Sequence, residues 1–172
     1  KRERKGLKPM EPLFTVDDAA LALRQFKGLV YKKKQKILPG VTLCLSDAGH
    51  ILGSASVWLT LREGATERRL AFSGDLGQYD SPILLDPYPF EQADLVIMES
   101  TYGNRLHPPY PESERELERI VNETVTRGGS LLIPAFAVGR TQQLVYAFHR
   151  LHSIGAIPDL PIFVDSPLAT RT

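Results

Sequence analysis

The chain has 172 residues, 42% hydrophobic and 24% charged, with a formal net charge of +1. That is enough apolar material for one core or two small ones, and it excludes a chain disordered by composition. No run of about eighteen apolar residues occurs, so neither a membrane span nor a secretory signal is expected. The single cysteine, Cys44, excludes an internal disulfide and a cysteine-built zinc cluster, and it points to the cytoplasm.

Charge is uneven along the chain. Residues 1–36 carry eleven Lys/Arg against four Asp/Glu, and the rest carry ten against sixteen. "KRERKGLK" and "YKKKQK" could meet a polyanion, although a solvated surface accounts for them equally well. "TVDDAALALRQF" predicts a short helix capped by Thr15, with acidic residues in the first turn where the helix dipole favours them.

From residue 41 the period changes to strict alternation. "VTLCLSD", "ASVWLTL" and "RRLAFSG" are expected strands, with "REGATE" turning between the second and third, which suggests an antiparallel meander. "DLVIME" reads as a strand buried on both faces. "SERELERIVNETVTRGG" is a helix with Ser113 and Glu116 at capping-box spacing, an inward face of Leu117, Ile120, Val121, Thr124 and Val125, and a stop at Gly128 and Gly129. "SLLIPA" is the next expected strand and "TQQLVYAFHRLHS" the next helix, with Leu144, Val145, Phe148 and Leu151 inward. "LPIFVD" is a third strand. Strand and helix alternating at this spacing imply parallel pairing with right-handed crossovers.

Three residues stand out for chemistry. His50 lies on a loop between two strands, with Gly49 and Gly53 allowing positive φ and close backbone approach. Asp75 follows another strand and is flanked by Gly74 and Gly77. An imidazole and a carboxylate at neighbouring strand ends suit a borderline cation such as Zn²⁺, while each alone could be a turn residue. Glu99 follows the "DLVIM" run, at the carboxyl end of a strand where α/β sites assemble, and could orient an imidazole or move a proton. Arg140, beside Gly139 at a helix start, offers a guanidinium and helix amides to a phosphate.

"SDAGHILGSAS", "FSGDLG", "ESTYGNR", "GGSLLIPAFAVGRTQQL" and "VDSPLA" occur in the order and at the spacing of the β-CASP branch of the metallo-β-lactamase superfamily, which this chain resembles from about residue 41 to its end. The resemblance implies an α/β fold: part of a metallo-β-lactamase αββα sandwich over residues 1–98, followed by the first half of a parallel-sheet β-CASP domain over residues 99–172. It implies that His50 belongs to the third metal-binding motif and that Asp75, in the fourth, bridges two zinc ions. Glu99 then matches the first β-CASP acidic motif, and Ser100, Thr101, Gly139 and Arg140 are phosphate neighbours. The implied activity is zinc-dependent cleavage of phosphodiesters in single-stranded RNA, internally or from the 5′ end, by a protein that commonly forms homodimers.

The departures carry expectations of their own. The family's His-x-His-x-Asp-His cluster is absent, since no histidine precedes residue 50, and His107, His149 and His152 do not fit the family's later histidines by spacing. The simplest expectation is a middle segment of a longer enzyme, inactive alone; a degenerated homologue is the alternative. Two other classes share the same residues. A metallohydrolase of DNA or another ester would be separated by its preference between RNA and DNA, and a non-catalytic scaffold subunit by lack of the histidine cluster in the whole protein.

Overall fold

A computed structural model describes residues 12–172 of the chain. "KRERKGLK" lies outside the described residues. Two compact units divide at Val30 and Tyr31. In the first, α1 runs over Val16–Leu23 from the expected Thr15 cap. The box is reciprocal: the Asp18 amide donates to Thr15 Oγ1 at 3.3 Å, and the Thr15 amide donates to Asp18 Oδ2 at 2.8 Å.

The second unit opens with a five-stranded sheet in chain order: β1 (Gln35–Leu38), β2 (Val41–Asp47), β3 (Ala55–Glu63), β4 (Thr66–Phe72) and β5 (Leu95–Ile97). The alternation and the turn residues explain the antiparallel β2–β3–β4 meander, which follows the expected pattern. Gly64 at φ +58° starts the two-residue turn that pairs Glu63 with Thr66, the glycine position primed hairpin turns require. Leu43 faces Leu59, and Leu59 faces Leu70. On the other face, Trp58 lies opposite Cys44 and Ala71 and donates its indole N–H to Ser46 Oγ at 3.0 Å. Phe90 covers that ring at 4.8 Å. β1, not anticipated from the sequence, pairs with β2 through "YKKKQK", and Lys32 of that run lies 4.3 Å over the Tyr88 ring.

β5 joins β4 in the only parallel pairing among the described residues. Its side chains are exposed rather than buried on both faces. Two helices follow, α2 (Tyr110–Thr126) and α3 (Arg140–Ser153). The α2 N-cap is Pro109, four residues ahead of the expected Ser113 cap, and Pro111 sits in the first turn, where the missing N–H is no loss. Glu116 instead pairs with Arg119 at 2.6 Å.

Both helices end in the same way. Gly128 (φ +68°) and Gly155 (φ +71°) follow the caps, and the amides of Gly129 and Ala156 reach back to the carbonyls of Thr124 and Leu151, each at 2.9 Å, as in a Schellman motif. Between the helices lies a small core of Val121, Phe148, Leu151 and Ile157. The buried stripe of α3 runs through Ala147, Phe148 and Leu151. Val145, expected inward, lies about 110° around the helix from the middle of that stripe and is exposed, as is Val125 of α2.

"SLLIPA" and "LPIFVD" form no strand. A strand exists only with a neighbour to take its N–H and C=O groups, and among the described residues neither segment has one. Leu132 and Phe163 accordingly stand 93% and 87% exposed. No helix among the described residues is long and apolar enough to cross a membrane.

Candidate functional site

His50 sits in the loop that carries the chain from β2 to β3. Asp47 Oδ1 accepts the Gly49 amide at 2.8 Å, and Ser54 Oγ accepts the amides of His50 and Ile51 at 3.1 and 3.3 Å. The loop is thus shaped by two short polar side chains. Gly49 has φ +66°, and a Cβ there would lie 2.8 Å from both the Leu85 carbonyl oxygen and Pro87 Cδ. Glycine is required twice over.

Asp75 is carried on the turn after β4. Gly74 (φ +61°) bends the chain against the Ala55 carbonyl, and the Gly77 amide donates to Ala48 O at 2.8 Å. A Cβ on Gly77 would overlap the Gly49 carbonyl and crowd the His50 amide. The two loops therefore lie backbone against backbone, with His50 and Asp75 both exposed on one cleft.

Glu99 reaches the same place from the end of β5. Its Oε1 accepts the Leu76 amide at 2.7 Å. That bond, with Thr101 hydrogen bonds and the nearby His50, holds the carboxyl below the ordinary glutamate range against the opposing effect of burial.

The cleft has a volume of about 820 Å³ and brings together His50, Asp75, Glu99, Thr101, Gly139 and Arg140. Ser100 is set apart: it lines an adjoining depression with Thr101 and Tyr102. Gly139 (φ +85°) comes against Ile51, so that a Cβ would stand 2.8 Å from Ile51 Cγ2. Gln142 locks this turn, its Oε1 accepting the Gly139 amide at 2.7 Å and its Nε2 donating to Ala137 O at 3.0 Å. The amides of Arg140 and Thr141 donate to the carbonyls of Val138 and Phe136. The helix amides expected to meet a phosphate are thus engaged within the turn, and that expectation is left to the Arg140 guanidinium.

Other groups at the cleft were not singled out by the sequence reading. Tyr102 packs between aromatic and cationic neighbours, its ring 4.1 Å from that of His107 and 4.6 Å from the Arg105 guanidinium. Gln143 Nε2 donates to Ser81 Oγ at 3.3 Å, tying α3 to the chain after β4. His149 and His152 are on the exposed side of α3, and His152 faces Asp159 at 3.8 Å. Among the described residues no group of three His, Cys, Asp or Glu side chains is arranged to hold a metal. His50 and Asp75 supply a nitrogen and an oxygen donor, a pair that suits zinc as part of a coordination shell.

No family model matches the chain. Ribonuclease TTHA0252 of Thermus thermophilus is 41% identical over 165 residues, which are 94% of this chain and 36% of that protein. Transcription termination factor FttA of Pyrococcus abyssi is 37% identical over 166 residues, 94% of this chain and 25% of the factor. An RNase J-like protein of Methanocaldococcus jannaschii is 32% identical over 159 residues, 91% of this chain and 37% of its own length. The chain thus spans a quarter to somewhat over a third of these relatives while nearly all of it aligns with each. Over nearly all of its length, at 32–41% identity, the chain is thus similar to three differently named relatives of the β-CASP branch of the metallo-β-lactamase superfamily, the same branch that its motifs resemble.

Proposed function

We propose that the intact protein is a metal-dependent hydrolase that cleaves phosphodiesters in single-stranded RNA, and that His50 and Asp75 are donors to its zinc centre. The observation that carries this reading is the packing of Gly77 on the Gly49 peptide, which brings an imidazole and a carboxylate from separate strand ends to one cleft. Further donors to such a centre would come from stretches matching the parts of the relatives outside the aligned region. Two of the relatives carry ribonuclease names. We take residues 1–98 as part of a metallo-β-lactamase domain and residues 99–172 as part of a β-CASP domain.

A bound divalent metal supplies Lewis-acid activation of the phosphodiester and of water at neutral pH. The chain's own residues do the rest. His50 and Asp75 present their donors from loops fixed at the main chain, and Glu99, held ionised, adds negative charge beside His50. Arg140 offers a planar fork to a phosphate, with Gly139 and Thr101 lining the approach and Ser100 at its margin. Location in the cytoplasm and assembly as a homodimer are carried over from the family and from the cysteine content, not from this geometry.

The test is zinc content together with cleavage of single-stranded RNA against DNA, in the intact protein and in its His50→Ala and Asp75→Ala variants. Both variants are expected to lose zinc and RNA cleavage. Unchanged zinc in both removes the assignment, and a preference for DNA replaces the substrate.

A further inference from the structure

Past the last ladder pair of β4 and β5, Phe72 opposite Ile97, three more hydrogen bonds keep the two chains together. The Ser73 amide donates to Ile97 O at 2.9 Å. The Glu99 amide donates to Ser73 Oγ at 3.1 Å, and the Leu76 amide donates to Glu99 Oε1 at 2.7 Å. Two of the three run through side chains, so here the identity of the residue matters as it does not in a main-chain ladder.

Ser73 is built for this part. It is 1% exposed, its hydroxyl donates to Gly74 O at 2.6 Å, and its carbonyl accepts Ser56 Oγ at 2.7 Å. With the hydroxyl proton spent on Gly74, its oxygen is left as an acceptor aimed at Glu99. The stretch enclosed, residues 73–76, contains Asp75, whose own carboxylate makes no hydrogen bond or ion pair among the described residues.

The geometry points to a side-chain clasp, formed by Ser73 and Glu99, that fixes the Asp75 turn from behind through the main chain and so presents the Asp75 carboxylate to a divalent cation. Ser73 and Glu99 are positioning residues in this role. The inference rests on the reading of His50 and Asp75 as metal donors. Carboxylate ligands are ordinarily oriented by hydrogen bonds to their own oxygens; here the orientation is imposed one residue away, at the Leu76 amide, leaving both Asp75 oxygens free for metal.

The experiment measures zinc retention against a competing chelator, and hydrogen exchange at the Leu76 amide, in the intact protein. Glu99→Ala is expected to weaken zinc binding by about tenfold to a hundredfold and to speed exchange at Leu76, with exchange at Val57 in β3 unchanged. Glu99→Gln restores an oxygen acceptor without the charge, and should recover Leu76 protection and most of the zinc affinity. Ser73→Ala, which removes the other half, should move both readouts in the same direction as Glu99→Ala. Wild-type exchange at Leu76 in both alanine variants overturns the clasp. So does zinc affinity that stays unchanged in them while His50→Ala and Asp75→Ala lose zinc. Zinc retained in all four alanine variants overturns the metal reading, and the clasp's purpose with it.

Discussion

In residues 31–99, five strands hydrogen-bond in unbroken chain order and the loops at their ends are pinned by main-chain contacts. In residues 100–172, two helices share four buried side chains, and two apolar stretches carry no ladder. The first region meets its own hydrogen-bonding needs locally, because each antiparallel strand finds its partner within a short turn. In the second, "SLLIPA" and "LPIFVD" have no ladder partner among the described residues, and apolar side chains such as Leu132 and Phe163 remain exposed. On the proposed reading, the cation donors His50 and Asp75 are carried by the first region, and Arg140, on the same cleft, by the second.

The largest expected effect on the site comes from Gly77→Ala. Its Cβ would displace the Gly49 peptide, separating His50 from Asp75, so zinc binding should fall by about tenfold or more. A variant that keeps its zinc would show that the two loops are independent. In the helical region, Phe148→Ala opens the small core and should destabilise by about 3 to 5 kcal/mol. Hydrogen exchange should then rise in α2 and α3 while the β2–β4 amides stay protected. Equal loss in both regions would show one cooperative unit.

Gly128→Ala places a side chain at φ +68°, an expected loss of about 1 to 2 kcal/mol, read in thermal melts and concentrated in α2. The smallest effect belongs to the strand region. Glu67 is held below the ordinary carboxylate range by its hydrogen bond from Arg62, the pair lying 2.5 Å apart across β3 and β4. Its contribution is present above the ordinary pKa of about 4.3 and fades as pH falls through the depressed value. Protection of the Arg62 and Glu67 amides should therefore decline only in acid, and less steeply in high salt.

What could be read from the sequence divides along the same line. The meander was legible because alternation and Gly64 encode it locally. His50 and Asp75 were marked by glycines whose necessity the fold explains. β1 was hidden because it is only four residues long, Gln35–Leu38, and follows directly on a run of lysines. "SLLIPA" and "LPIFVD" read as strands on apolar content, but content names no partner. Ser73, Gln142 and Gln143 gave no signal, since they work by hydrogen bonds to amides, carbonyls and a hydroxyl brought near only by folding. Glu99 was visible as a carboxylate at a strand end, yet its contact is with the Leu76 amide, which no motif of side chains reveals.

The junction between Gly49 and Gly77 contains no side chain at all. A gap filled by rotamers can drift as those rotamers hop, whereas two peptide planes in direct apposition have no such slack. The spacing between the imidazole-bearing and carboxylate-bearing turns is accordingly set by main-chain contact and the Gly77–Ala48 hydrogen bond, and a neighbouring substitution that merely repacks the interior is expected to leave it where it was.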